Sequence, residues 1–286
     1  MMAVNKKKIK QKMNNYIRIA IQVIFFICFP SAFATAFAGV KYIFTQIGMG
    51  ENIEITSFVA ALIAVILFTF VFGRFFCGYA CAFGTMGDFF HFIYLWICKK
   101  IKKKPIAIKE SVLKPFTYVK YVILALIAIL CVTNVYGKTA GYSPWDVFSM
   151  MIAGNTDLVK YVPGICILLI IIVGMMVCER FFCRFLCPMG AVFAMVPSLP
   201  FFSLNRKKES CIKGCSACER KCPMQVKLPD KQTDIPSGEC IMCQKCIGIC
   251  PKNNAGIDCI DKKSHLTVFT ILRFILLLLL LYYAGV

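Results

Sequence analysis

The stretch Cys211-Ile-Lys-Gly-Cys215-Ser-Ala-Cys218-Glu-Arg-Lys-Cys222-Pro223 is followed by a second, Cys240-Ile-Met-Cys243-Gln-Lys-Cys246-Ile-Gly-Ile-Cys250-Pro251. Runs of this kind are the ligand pattern of a two-cluster bacterial ferredoxin. Three closely spaced thiolates hold one [4Fe-4S] cluster, and the fourth, which precedes a proline, ligates the other. The spacing therefore predicts crossed ligand sets, with Cys211, Cys215, Cys218 and Cys250 on one cluster and Cys240, Cys243, Cys246 and Cys222 on the second. The second run fits the bacterial spacing at every step, whereas the first has one extra residue between Cys211 and Cys215. Zinc sites also use C-x2-C pairs, but they rarely stack four cysteines so tightly with a proline closing each run. A disulfide scaffold belongs to oxidising compartments, which the charge pattern argues against for this segment.

Hydrophobic residues make up 59% of the 286-residue chain, which also carries a net charge of +19. A soluble basic protein does not combine the two, so the composition predicts an α-helical integral membrane protein. A helix of about 20 apolar residues crosses about 30 Å of hydrocarbon, and five such spans are expected at 17–38, 55–76, 118–136, 158–178 and 267–286. The last contains Arg273, which has to snorkel or find a partner. The lysines are placed as orientation signals rather than as a nucleic-acid surface. Lys6, Lys7, Lys8, Lys10 and Lys12 precede the first span, and Lys99, Lys100, Lys102, Lys103, Lys104, Lys109 and Lys114 fill one loop. By the positive-inside rule, the N-terminus, this loop and the eight-cysteine segment face the cytoplasm of a prokaryotic cell, with the protein in the inner membrane. The basic N-terminus followed by the small residues of 31–38 also matches a cleavable signal peptide, but the apolar stretch is long for one and is needed as partner to the second span.

A second pattern is an internal repeat. Arg74-Phe-Phe-Cys77-Gly-Tyr-Ala-Cys81-Ala-Phe-Gly84 recurs as Arg180-Phe-Phe-Cys183-Arg-Phe-Leu-Cys187-Pro-Met-Gly190, a shared R-F-F-C-x3-C-x2-G. Each copy closes a hairpin, so a parallel repeat with its axis along the membrane normal is expected. Cysteines four apart share a helix face, and two facing pairs, Cys77 with Cys81 and Cys183 with Cys187, supply the four thiolates of an iron-sulfur or tetrahedral metal centre. The competing readings are small packing residues preserved by duplication and a reversible disulfide in each pair. The apolar stretches 89–96 and 191–202 read as too short to span and as interfacial roofs for the site. Cys28, Cys98, Cys131, Cys166, Cys178 and Cys259 read as packing thiols, with Cys98 and Cys178 alone placed where redox chemistry is imaginable.

The chain contains two histidines, His91 and His265, and no C-x-x-C-H, so haem is poorly supported. No nucleotide fingerprint is present, and hydride from NADH is not an expected substrate. His91 reads as a satisfied interfacial histidine before it reads as part of a quinone or proton path. The loop Gly141-Tyr-Ser-Pro-Trp145-Asp146-Val-Phe148 offers a docking or quinone site at the opposite interface, although Trp and Tyr there are more often anchors.

With these residues in view, the chain resembles the NapH/NosR-type membrane iron-sulfur proteins. The resemblance is carried by Cys77 and Cys81, by Cys183, Cys187 and Pro188, and by the eight cysteines from Cys211 to Cys250. It implies an electron-transfer or quinol dehydrogenase-like subunit of an oxidoreductase complex, in which single electrons move among two [4Fe-4S] clusters, a membrane-edge four-cysteine centre and quinone or a periplasmic partner. Implied partners are other membrane or periplasmic redox subunits carrying flavin or haem, a soluble cytoplasmic electron donor or acceptor, and the lipid bilayer, with no nucleic acid. Ala82 stands where the family's first motif has proline, and a helix follows Cys259 that the minimal family plan lacks. The expected organisation is a first membrane hairpin at 1–100, a basic loop at 101–117, a second hairpin at 118–203, an inserted small α+β ferredoxin-like domain at 204–264 and a C-terminal helix at 265–286. Two other classes fit parts of the pattern: a metal-handling, copper-reducing assembly ferredoxin, and a redox sensor or scaffold.

Overall fold

The computed structural model describes residues 2–106, 108, 110–154, 158–231, 234–257, 259–260 and 263–286, with backbone alone for 2–12, 111, 138–140, 158 and 263–264. The side chains of Lys6 to Lys12 and Lys109, used above as orientation signals, lie outside the described residues.

The fold is helical. The first expected span is bent: α1 (Met2–Cys28) and α2 (Ala32–Met49) meet at 63° across Phe29, Pro30 and Ser31. The proline supplies no amide donor to the ladder and so ends α1. Gly50 stops α2 in the left-handed conformation, at φ 70°. Thr56 then caps α3 (Ser57–Phe72), its hydroxyl accepting from the Val59 amide. The short α4 (Phe75–Tyr79) leads into α5 (Ala82–Lys100). The stretch 89–96 is not short as expected but part of a longer helix, because α5 runs 19 residues without a break. Its polar residues are satisfied, Asp88 by three side chains and His91 by the Met176 carbonyl at 2.8 Å.

The next pass is divided by a turn at Thr117 and Tyr118 into α6 (Glu110–Phe116), which contains Pro115, and α7 (Val119–Val132). A small outer layer follows, α8 (Tyr136–Thr139) and α9 (Pro144–Ile152), and then α10 (Leu158–Val177). After a π-turn at Phe182–Leu186 and α11 (Pro188–Met195), the chain enters the eight-cysteine segment. There β1 (Leu204–Arg206) pairs antiparallel with β2 (Ala255–Ile257), Leu204 opposite Ile257, closing the segment on itself around α12 (Ala217–Arg220) and α13 (Lys245–Ile249). The last helix is α14 (Lys263–Tyr283).

Side-chain contacts sort the ends of these helices onto two faces. On the cysteine face, the Thr267 hydroxyl donates to Asn14, Gly73 lies against Met242, and Glu110 pairs with Arg184, which also bonds Gln225. On the opposite face, Gly48 lies on the Val132 backbone and Gly285 near Ser57. Among the described residues α5, α6 with α7, α10 and α14 are each long and apolar enough to cross a membrane, as are α1 and α2 taken as one bent span, whereas α3 is a shorter apolar helix. The contacts run the chain between the two faces along α1 with α2, α3, α6 with α7, α10 and α14. Although α5 is long and apolar enough to cross a membrane, the chain is on the cysteine face both before it, at Gly73, and after it, at Glu110. The flanks of the passes carry exposed Ile63, Leu67, Val122, Leu126, Ile170, Val173, Leu272 and Leu276, a belt that water would penalise by about 25 cal/mol per Å².

Candidate iron-sulfur relay

The duplicated motif is not two cysteines on a continuous helix. In the first copy Cys77 lies in α4, while Cys81 has extended backbone at the start of α5. In the second, Cys183 lies in the π-turn and Cys187 is the extended N-cap of α11, accepting from the Gly190 amide at 3.2 Å. Each pair straddles a helix break. All four thiols are buried, at 4–7% exposure, and they lie close enough to repel one another if ionised.

The other invariants of the repeat are explained by contacts between copies. Arg180 of the second copy donates Nη1 to the Cys77 carbonyl at 2.7 Å and covers Gly84 of the first. Arg74 of the first copy covers Gly190 of the second, with Nη2 3.1 Å from where a Cβ would be. Each glycine is small because the other copy's guanidinium occupies the space. Both arginines are buried and both meet an acid. Asp88 receives Arg180 through Nε at 3.0 Å and Nη2 at 2.7 Å, together with Arg18 and the Gln22 amide. Arg74 meets Glu239 and the Gly238 carbonyl, each at 3.1 Å, and Lys120 joins the same carboxylate. Burial works against a charged Glu239, but Arg74 and Lys120 outweigh it and hold the carboxyl below its ordinary range. Nε and Nη2 of Arg74 are buried and make no hydrogen bond to an N or O acceptor among the described residues, and the guanidinium lies beside the Cys77 thiol.

The eight remaining cysteines border two recesses. Cys211, Cys215, Cys218 and Cys250 line one, together with Ile212 and Lys252. Cys222, Cys240, Cys243 and Cys246 line the other, and Cys218 reaches both. Donors point at these sulfurs: the Asn254 side-chain amide at Cys211 (3.3 Å), the Asn254 backbone amide at Cys250 (3.2 Å) and Arg206 at Cys218 (3.8 Å). Burial, with the Cys243 thiol adding to it, pushes the Cys240 thiol up to about 12. Among the described residues no three Cys, His, Asp or Glu side chains stand close enough to hold a single metal ion. The thiols surround space instead of converging on a point.

The second recess is packed onto the first copy of the motif. Gly78 lies directly on the Ile241 carbonyl, and an added Cβ there would be 3.7 Å from the Cys243 amide nitrogen. Gly238 similarly lies on Ala194 of α11. At the position matching Gly78 the second copy has Arg184, which turns away to Glu110 and Gln225 beside an open cleft.

Other residues singled out in the sequence have defined contacts. Arg273 in α14 finds partners, donating to the Phe202 carbonyl at 2.9 Å and stacking 4.0 Å from the Phe269 ring centroid. At the far face, Asp146 accepts from Lys41 and Tyr136, each at 2.8 Å, and from Ser143, while the Trp145 indole donates to Tyr136. These groups tie α2, α8 and α9 together. The sequence reading missed Asp88, Glu239, Arg18 and Asn254. An acid in a run as apolar as 82–98 was the available signal for Asp88, and adjacency to Cys240 was the signal for Glu239.

Comparison with known proteins places the chain among iron-sulfur electron-transport proteins. The family profile described as a 4Fe-4S binding domain matches residues 55–105 and 162–208, the two stretches that contain the duplicated motif. An uncharacterized protein of Methanocaldococcus jannaschii is 30% identical over 218 residues, 76% of each chain. The putative electron transport protein YccM of Escherichia coli is 25% identical over 66% of this chain and 52% of its own length. The regulatory protein NosR of Pseudomonas aeruginosa is 24% identical over 60% of this chain and 23% of its own. No solved structure matches. With a helical scaffold, a duplicated thiol motif that this profile matches and an eight-cysteine segment seated upon it, the chain belongs to the NapH/NosR-type family of iron-sulfur electron-transport proteins.

Proposed function

We propose that this chain is a multi-pass subunit of the inner membrane that carries single electrons between a cytoplasmic donor or acceptor and quinone or a further redox subunit. The observation that carries the reading is the continuity of three cysteine sets. Cys218 borders both recesses, and Gly78, next to Cys77, touches the loop between Cys240 and Cys243. On this reading Cys211, Cys215, Cys218 and Cys250 hold one [4Fe-4S] cluster, and Cys240, Cys243, Cys246 and Cys222 hold a second. Cys77, Cys81, Cys183 and Cys187 hold a further iron-sulfur centre. Bound there, the clusters supply reversible one-electron oxidation and reduction.

The residues present fit such groups. Crowded buried thiolates need compensating positive charge, and thiols arranged around a recess suit a cubane, whose irons are separated, better than one zinc ion. Nε and Nη2 of Arg74 and the amides of Asn254 are N–H donors of the kind that stabilise cluster sulfurs and raise reduction potential. Arg74 and Arg180 add fixed positive charge between the membrane-edge thiols and the second recess. The belt of exposed apolar side chains supports insertion in a bilayer. The shared face of Asn14, the end of the lysine-rich loop at Glu110 and the eight-cysteine segment supports a common cytoplasmic side for all three.

The reading is tested by reducing the protein anaerobically in nanodiscs and adding a soluble quinone analogue. Rapid re-oxidation of the reduced signal, lost in Cys183→Ser, is expected. A protein that never reoxidises with quinone or with a one-electron acceptor is not an electron carrier.

A further inference from the structure

The eight-cysteine segment has two unlike sides. Its second recess is covered by the helices: Met242 lies on Gly73, Ile241 on Gly78, and Gln244 donates to Thr270 of α14 at 2.9 Å. Its first recess is bordered entirely by residues between Arg206 and Ala255, with no helix of the membrane bundle against it. Cys211 and Cys215 there are partly exposed. Around them stand Lys207, Lys208, Lys213 and Lys252, all exposed, and none is paired with a carboxylate among the described residues. Of the nearby acids, Glu209 is exposed and Asp230 is engaged by the Lys208 amide. Next to Lys213 and on the same recess as Lys252, Ile212 presents an apolar side chain that is 48% exposed.

We infer that this face is a docking surface for an acidic, soluble one-electron carrier protein. The inference rests on the electron-transfer reading above and names its partner at the first recess. An exposed apolar side chain beside like charges is the anatomy of a transient interface, where charge steers the encounter and a small apolar patch fixes contact. The lysines are not explained by contact with the protein's own membrane, because the helices meet this segment on its other side. Nor are they needed to neutralise the thiolates, since the donors that reach the sulfurs come from Asn254 and Arg206. One electron passes between the carrier's cofactor, an iron-sulfur cluster or flavin, and the group held by Cys211, Cys215, Cys218 and Cys250. The carrier is oxidised by one electron as that group is reduced, or the reverse, and no bond is made or proton moved.

The test is a binding measurement. The holoprotein is placed in nanodiscs of zwitterionic lipid, an acidic two-cluster ferredoxin is titrated in, and affinity is followed from low to high salt. Binding is expected to weaken steeply with salt, and Lys208→Glu combined with Lys213→Glu is expected to lower affinity more than tenfold at low salt. Ile212→Ser should weaken binding while preserving the salt dependence. A dithionite-reduced EPR spectrum unchanged in these variants shows that the clusters are intact. Equal affinity of wild type and the charge-reversed variant overturns the docking surface. Loss of anionic-lipid dependence in that variant, with ferredoxin binding unchanged, would assign the lysines to lipid instead and likewise overturn it. If wild type shows no cluster signal at all, it is the underlying electron-transfer reading that fails.

Discussion

The crossed packing of the two motif copies makes an unequal prediction about two glycines that look equivalent in sequence. In Gly84→Ala the new methyl would overlap Nη1 of Arg180, and it would lie 2.9 Å from the Cys77 carbonyl oxygen. Arg180 cannot move aside freely, since Nη1 is bonded to that carbonyl and the other nitrogens to Asp88 and Gly78. Clearing the methyl requires a shift on the order of 1 Å, which costs about 1–3 kcal/mol as overpacking. Stripping a buried N–H of its acceptor costs about 1–3 kcal/mol more. In Gly190→Ala the methyl would lie 3.1 Å from Nη2 of Arg74, 3.2 Å from the Cys183 carbonyl oxygen and 3.3 Å from Cβ of Cys187, tight contacts without the overlap that Gly84→Ala makes with Nη1 of Arg180. A yield of a few tenths of an ångström suffices, and the cost is about 1 kcal/mol. The assay is thermal loss of iron-sulfur absorption in anaerobically purified protein, with iron content measured alongside. Gly84→Ala should lower the midpoint markedly and Gly190→Ala only slightly. Equal effects, or the reverse order, would refute the cross-copy clamp.

Two further outcomes follow from the same geometry. Gly78→Ala should push the Ile241 carbonyl away and weaken the magnetic coupling between the second recess and the membrane-edge centre in EPR of fully reduced protein, with iron content retained. Unaltered coupling would show that the contact does not set their separation. Asp88→Ala leaves Arg18 and Arg180 buried without their shared carboxylate, a loss of about 3–5 kcal/mol, read as a lowered denaturant midpoint, whereas a change under about 1 kcal/mol would mean that this group of charges is hydrated.

Much of this arrangement was legible in the sequence because it depends on composition and on local spacing. Apolar runs fix the passes, and the cysteine intervals group the thiols that border each recess. What was not legible came from contacts between distant segments. The 63° bend between α1 and α2 was signalled only by Pro30, which a search for about twenty apolar residues passes over. The partners of Asp88 were hidden because Arg18 and Arg180 come to it from 70 and 92 residues away. The shape of the thiol pairs was misjudged for a local reason: helical periodicity presumes a continuous helix, and Cys81 and Cys187 are extended residues at breaks. The repeat's arginine and glycine were visible as invariants, but their reciprocal contact exists only once the copies face each other.

The most direct measurement is iron and sulfide content with EPR on the anaerobically purified, reduced protein. Three cysteine sets holding [4Fe-4S] clusters predict about twelve irons per chain, falling to about eight in Cys77→Ser and in Cys183→Ser while the signals of the other two clusters persist. A wild-type content of about eight irons, unchanged by either substitution, would contradict the membrane-edge centre and with it the three-site relay.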